Sequence, residues 1–390
     1  MIGFLNLLTL IITKHIIYMK KILIIITSII VAILIIVFTV IKNEKQVTSN
    51  APIVIGAALA LTGDASAWGE MSLKGAKLAV EEININGGIR GRNIQLSVED
   101  TQSTSQGALS SVSKLLSINK AEAILGPSWL DVYHGAEGLI EGKDVLMITP
   151  DSGAEAMHDN IKMPGLFSTW YRTAPKAQLL ANHINDIGKK HLFIIHPNDS
   201  YYILYANFLK KFAKEKGIII ESAMLGTDAK DIRTLLLKIK QSGADSVFFT
   251  AYDPENMNEF LKNYRIILPD VSAYSDEIFK DFVGKEEYAG LADGIEYFHA
   301  IAPVPSFQKK FTERYSADPV FGASTAYDAI YIIADALENT DNNYDAYVRS
   351  HSFDTVSYGK ATFDNIGGIV IKSNQFDLFT VENNQSKKIE

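Results

Sequence analysis

Ile53-Val54-Ile55-Gly56-Ala57, then Leu61-Thr62-Gly63-Asp64-Ala65-Ser66-Ala67-Trp68-Gly69, then Asn86-Gly87-Gly88-Ile89-Arg90-Gly91-Arg92 punctuate the stretch from Ile53 to Asp100 that decides the fold. Between them Leu73, Ala76, Leu78, Ala79, Val80 and Ile83 recur at close to helical period. Ile94-Gln95-Leu96-Ser97-Val98 opens the next apolar run. The order is strand, loop, helix, Gly-rich turn, strand, a parallel βαβ unit. In an open α/β sheet the first βα loop lies at the carboxyl ends of the strands, where ligands bind. The loop around Trp68 is therefore expected to face a small molecule. Gly87, Gly88 and Gly91 follow a helix rather than precede one, so they serve backbone geometry and not phosphate binding.

The pattern repeats outward. A helix over 107–118, strand Ala123–Leu125 and Gly126-Pro127-Ser128-Trp129 come next. A helix over 132–141, strand Val145–Ile148 and Thr149-Pro150-Asp151-Ser152-Gly153 follow. These short apolar runs read as buried parallel strands, and the series as a doubly wound α/β domain. After Trp170-Tyr171-Arg172 a second series begins. Its strands are expected at 191–196, 217–221, 246–250, 271–274 and 294–298, with helices over 175–187, 202–216, 232–242 and 255–264. A further helix is expected at 324–338.

Ahead of the first strand, Ile22 to Ile41 carries no charge. Twenty helical residues span about 30 Å, the hydrocarbon thickness. The run exceeds a cleaved signal's apolar core and ends Phe38-Thr39-Val40-Ile41-Lys42 without a small-x-small site. It reads as an uncleaved signal anchor, with a cleaved signal peptide as the alternative. Residues 1–21 form a cytoplasmic or mis-start segment (Met19-Lys20-Lys21 offers a second start), and 42–51 a tether.

Charge and composition exclude several classes. The 390 residues carry a net charge of −8. Residues 1–50 hold five lysines and one glutamate, so the remainder stands at −12. That is no basic face for nucleic acid. No cysteine is present, which rules out disulfides, thiolate zinc and an acylated lipoprotein anchor. No Walker loop, Gly-x-Gly-x-x-Gly, His-Glu-x-x-His or Gly-x-Ser-x-Gly occurs. The eight histidines give no i, i+4 helical pair. No enzyme activity, cofactor or metal site is implied.

The loop at 61–69, the Gly88-Ile89-Arg90-Gly91 turn and Val98-Glu99-Asp100-Thr101 resemble extracytoplasmic solute-binding proteins of the leucine/isoleucine/valine-binding type. The resemblance runs from about Ile53 to about Phe379. It implies two doubly wound parallel-sheet lobes of the type I periplasmic binding protein fold, joined by a hinge of three crossovers near Tyr171, Asp293 and Thr355. Lobe one is then expected over 52–171 and 294–355, and lobe two over 172–293 and 356–390. Gly359 to Gly368 resembles the closing hairpin, which the resemblance lays against lobe two. It further implies permease and ATPase partners of an ABC importer and an extracytoplasmic location, anchored by the N-terminal helix or periplasmic if that helix is cleaved. The alternative is a sensor ectodomain working with a separate signalling partner.

The residues just after the strands form the expected cleft. They are Trp68, Ser128, Trp129, Asp151, Ser152 and Gly153 from lobe one, and Tyr201, Tyr202, Tyr252, Asp253, Ser275 and Asp276 from lobe two. By resemblance, Trp68 stands at an aromatic position before Gly, and Tyr252 in a Tyr-x-Pro-Glu pattern. Asp276 stands near the acid that binds an α-ammonium, and Tyr201 in a Tyr-Gly element whose Gly is here Tyr202. Each has a structural alternative: packing for the tryptophans, N-capping for Asp151, Ser128 and Ser152. Two features depart from the pattern. The serine that would hold a ligand carboxylate is displaced within Ser128-Trp129-Leu130-Asp131, and Asp151 would repel such a carboxylate. A cationic, amide or polyol solute therefore stands beside an amino acid as the expected ligand.

Overall fold

The structure is a computed structural model that describes residues 2–44, 51–128, 136–153, 155, 163–226, 231–251, 253–320, 322–371 and 376–389. It divides into two units, residues 1–51 and 52–390. The first is one helix, α1 (Ile2–Glu44). Within it Lys14–Ile35 is long and apolar enough to cross a membrane, with mean hydropathy 2.3. It overlaps the expected 22–41 from Ile22 to Ile35. The expected tether lies largely in residues outside those described.

The second unit holds two mainly parallel sheets. The first comprises β1 (Ile53–Leu59), β2 (Ile94–Asp100), β3 (Ala123–Leu125), β4 (Leu146–Thr149) and β5 (Leu166–Ser168), in the order β2-β1-β3-β4-β5. The second comprises β6 (His191–His196), β7 (Ile219–Met224), β8 (Ser246–Phe249), β9 (Ser272–Ser275), β10 (Glu296–Ala300), β14 (Phe376–Glu382) and β15 (Gln385–Lys388). Its order is β15-β14-β10-β9-β8-β6-β7. The five parallel strands of each sheet thus share one doubly wound order, with the switch point between β1 and β3 in one and between β6 and β8 in the other. β3, β4 and β8 are buried along their whole length, as strands covered by helices on both faces must be.

Two helices position the first lobe. α2 (Ser66–Ile85) follows β1. It packs against the nearly wholly buried helix Ala323–Asn339, so closely that a Cβ on Gly75 would stand 1.8 Å from the Ala323 carbonyl oxygen.

Strand pairing corrects the expected lobe boundaries. β10 pairs with β9 and β14, which places 296–300 in the second sheet. The expected hairpin forms a small sheet with β11 (Phe353–Thr355), β12 (Gly359–Phe363) and β13 (Ile369–Val370). It packs on lobe one rather than lobe two. Phe363 lies 5.2 Å ring to ring from Phe167 of β5, and Ser168 N donates to Gly367 O. The antiparallel pair β14–β15 closes the second sheet instead. The chain therefore passes between sheets after β5, after β10 and between β13 and β14. Inward-facing Phe353, Phe363 and Ile369 join the lobe-one core, and burial of those side chains outweighs their place late in the chain. Of the helix expected over 132–141, residues 132–135 lie outside those described, and the described remainder holds only a short 3-10 turn, Glu137–Leu139.

Candidate ligand cleft

The first βα loop is built around Asp100, the last residue of β2. Its carboxylate accepts from Leu61 N (3.0 Å), Thr62 N (3.2 Å), Thr62 Oγ1 (2.7 Å) and Gln102 N (2.8 Å). Partial burial acts to raise its pKa, but these donors outweigh it and hold the carboxyl below the usual range. Ser103 Oγ ties the same loop to Thr62 O at 2.7 Å and receives Ala65 N at 3.1 Å. The loop thereby presents Asp64 and the first turn of α2, with Trp68, at the carboxyl end of the sheet.

Trp68 meets Trp170 edge-on at 5.6 Å between ring centroids. Trp170 stacks on Tyr171 at 4.6 Å, and Tyr171 meets Phe376 at 5.0 Å. One aromatic series thus runs from the first loop, through the first crossover, to the start of β14.

Across the cleft the second lobe presents a charged network. Glu277 follows Asp276 directly after β9. Its Oε1 accepts from Tyr171 OH (2.8 Å) and Tyr201 OH (3.0 Å), and its Oε2 pairs with Lys176 Nζ. Lys176 also donates to Tyr201 OH at 2.6 Å and lies 4.9 Å from the Tyr205 ring centroid. Burial acts to raise Glu277, but Lys176 outweighs it and keeps the carboxyl below its usual value. Burial and Glu277 push the Tyr171 and Tyr201 phenols well above theirs, so both remain donors. Asp276 is 1% exposed, and its Oδ1 accepts from Thr250 Oγ1 at 3.0 Å. Burial and the neighbouring Glu277 raise its pKa.

Two more acids lie at helix N-termini. Asp199 caps Ser200–Glu215 through Tyr201 N and Tyr202 N, and Asp253 caps Pro254–Ile267 through Asn256 N.

A cavity of about 510 Å³ lies among these groups. Lobe one contributes Asp64, Trp68, Asp151, Ser152 and Gly153, lobe two contributes Asn198, Asp199, Tyr201, Asp253 and Glu277, and Trp170 lies at the crossover. A second cavity of about 160 Å³ shares Trp68, Trp170 and Glu277, and holds Lys280 and His299.

Of the residues expected in the cleft, Trp68, Asp151, Ser152, Gly153, Tyr201 and Asp253 line the larger cavity together, and Tyr202 and Ser275 do not line it. Ser128 is fully buried and does not line it. Asp276 does not line it either, whereas Glu277 does. Trp129 and Tyr252 lie outside the described residues. Sequence reasoning missed Trp170, Lys176 and Glu277. The strand-end rule points to the 276–277 pair but cannot say which carboxylate turns outward. Lys176 sits inside a helix and carries no sequence signal. Glu155 was also missed: its Oε1 accepts from Thr173 N and Ala174 N (3.1 Å), so a lobe-one segment caps the first helix of lobe two.

Two doubly wound lobes sharing a cavity at their strand carboxyl ends, with three crossovers, define a bilobed binding protein of the type I periplasmic fold. The chain belongs to the periplasmic binding protein family, which its residues 52–368 match. An amino acid binding protein of Pseudomonas aeruginosa is 26% identical over 339 residues, covering 82% of this chain and 88% of that protein. Leu/Ile/Val-binding protein homolog 3 of Brucella melitensis is 27% identical over 207 residues, 53% of this chain and 56% of that protein. The crystal structure of an ABC transporter substrate-binding protein from Desulfitobacterium hafniense in complex with Leu is similar in fold. Its TM-score is 0.71 at 21% identity, covering 87% of this chain and all of that one.

Proposed function

We propose that this protein is the extracytoplasmic solute-binding component of an ABC importer, held at the membrane by α1. It captures an amino-acid-like or other small polar solute between its lobes and presents the closed form to permease and ATPase subunits. The observation that carries this reading is the 510 Å³ cavity, whose walls come from both lobes. Three chain crossings join the lobes, so closing changes backbone torsions at few residues. A solute touching both walls binds the closed form better and shifts the population toward it. The names of the similar proteins, amino acid binding and Leu/Ile/Val-binding, support the solute class.

The test uses the full chain in detergent micelles, titrated with leucine, isoleucine, valine, amides and amines. A solute bound only by the folded state stabilises it by about 2.7 kcal/mol at a hundred times its Kd. The melting temperature should rise with at least one of them. A melting temperature unmoved by every solute, with no heat of binding, would remove the proposal.

A further inference from the structure

Resting on that reading, we infer that Lys176 is a positioning residue of the larger cavity. It fixes the direction of the hydrogen bonds at Tyr201 and Glu277, so that this corner of the wall accepts hydrogen bonds from a solute and donates none. Tyr201 and Glu277 line the cavity, and Lys176 does not. It lies behind them on the helix Thr173–Asp186, wholly out of solvent. Any effect it has on a solute passes through those two side chains.

The order of the protons sets that direction. Three tyrosine rings surround the Lys176 ammonium: its Nζ lies 4.9 Å from the ring centroid of Tyr205, 5.3 Å from that of Tyr201 and 5.6 Å from that of Tyr171. An ammonium only donates. Lys176 therefore occupies an acceptor site on the Tyr201 hydroxyl, at 2.6 Å. The one phenolic proton of Tyr201 is left for Glu277 Oε1, at 3.0 Å. That oxygen also takes the proton of Tyr171, at 2.8 Å, while Oε2 pairs with Lys176. An ionised carboxylate has no proton to give. Both phenolic protons are thus spent on Glu277, and what Tyr201 and Glu277 can still offer a solute is lone pairs.

Without Lys176 this order is lost. Glu277 then lies beside the buried Asp276 with no cation, and burial and like charge both favour its protonated form. A protonated Glu277 donates, to Tyr201 or to the solute, and the corner no longer selects. The charged and titratable groups around Glu277 are Lys176, Asp276, Tyr171 and Tyr201, with Lys280, Asp281 and His299 around the smaller cavity that it also lines.

Three compounds test the inference, titrated calorimetrically into the full chain in detergent micelles. L-leucine, (S)-2-hydroxy-4-methylpentanoate and 4-methyl-2-oxopentanoate share a carboxylate and an isobutyl group. Their remaining substituent donates hydrogen bonds in the first two and only accepts in the third. A donor compound is expected to bind the parent at least about tenfold tighter than the oxo acid, a factor that one hydrogen bond to a charged group supplies. Lys176→Met should lose most of that preference. It should lose more as pH is lowered from about 8 to about 6, where Glu277 takes up a proton, whereas the parent's preference should hold. Tyr201→Phe leaves the ion pair in place and should lower the preference too, which keeps the test open should Lys176→Met not fold. If the oxo acid binds the parent as tightly as both donors, the inference is overturned while the solute-binding reading stands. The same follows if the variants weaken all three compounds alike and keep the parent's preference at both pH values. If none of the three binds, the inference falls as well, and the wider panel of solutes decides the solute-binding reading.

Discussion

Lys176 and Glu277 form an ion pair whose lysine side chain is wholly out of solvent and whose glutamate side chain is 12% exposed. The acid at the lobe-two wall is therefore neutralised by its own lobe, and Tyr171 and Tyr201 fix its other oxygen. A lysine at that depth would be costly without this pairing.

Removing one partner should expose that cost. Lys176→Met leaves Glu277 without its cation, beside the buried Asp276, and is expected to destabilise the folded state by about 3–5 kcal/mol. The double variant Lys176→Met, Glu277→Met should recover most of the loss, since an apolar pair needs no desolvation of charge. Urea unfolding followed by tryptophan fluorescence reads this directly, because all three tryptophans lie beyond residue 52. A single variant as stable as the parent would show that the pair contributes nothing.

Acidity should act through buried carboxyls. Asp328 accepts from Val356 N and Ser357 N, and burial pushes it up to about 7. Burial also raises Asp276 and Glu155. Each binds its proton more readily folded than unfolded, so stability is lost as pH rises through the folded pKa. The melting temperature is expected to be higher at pH 6.5 than at pH 8. Below 6.5, His196 and His299, whose pKa values burial lowers, oppose the trend, because they charge more easily unfolded. Asp328→Asn should flatten the slope between 6.5 and 8, and an unchanged slope would clear Asp328 of any part in it.

Gly75→Ala should destabilise although alanine is the better helix former. The propensity gain is about 1 kcal/mol. The new Cβ meets the Ala323 carbonyl oxygen, and a forced shift between packed helices costs about 1–3 kcal/mol. The expected sign is net loss, read from the denaturation midpoint. A rise in the midpoint would mean that the two helices separate freely.

Asp100→Ala removes the acceptor of four hydrogen bonds that shape the loop before Trp68. Hydrogen bonds to a charged group are worth about 1.5–3 kcal/mol each, and water replaces part of that in a half-exposed loop. A loss of about 2 kcal/mol in stability is expected, together with weaker binding of whichever solute the parent protein takes. Unchanged affinity would mean that the loop keeps its shape without Asp100.

Much of the architecture was legible because it is local. Helical spacing of Leu73, Ala76, Val80 and Ile83, and apolar runs such as Leu192–Ile195, declare their elements through burial alone. Trp68, Asp151 and Tyr201 were reachable for the same reason: each follows a strand end, and strand ends converge in this topology. β5 and β11, three residues each, went unread, and Gly359 to Gly368 was legible only through its resemblance to a closing hairpin. The lobe boundaries went astray where pairing is remote, since β10 chooses β9 and β14 over the first sheet.

Composition, periodicity and the spacing of turns thus determined a bilobed α/β chain behind an apolar helix, because those features rest on each segment's own chemistry. Tertiary structure alone decided that Glu277 rather than Asp276 faces the cavity, that Lys176 is buried against it, and that 353–370 packs on lobe one. Each of those choices depends on which groups meet after distant segments pack. Burial makes an unpaired charge costly only once that meeting has occurred.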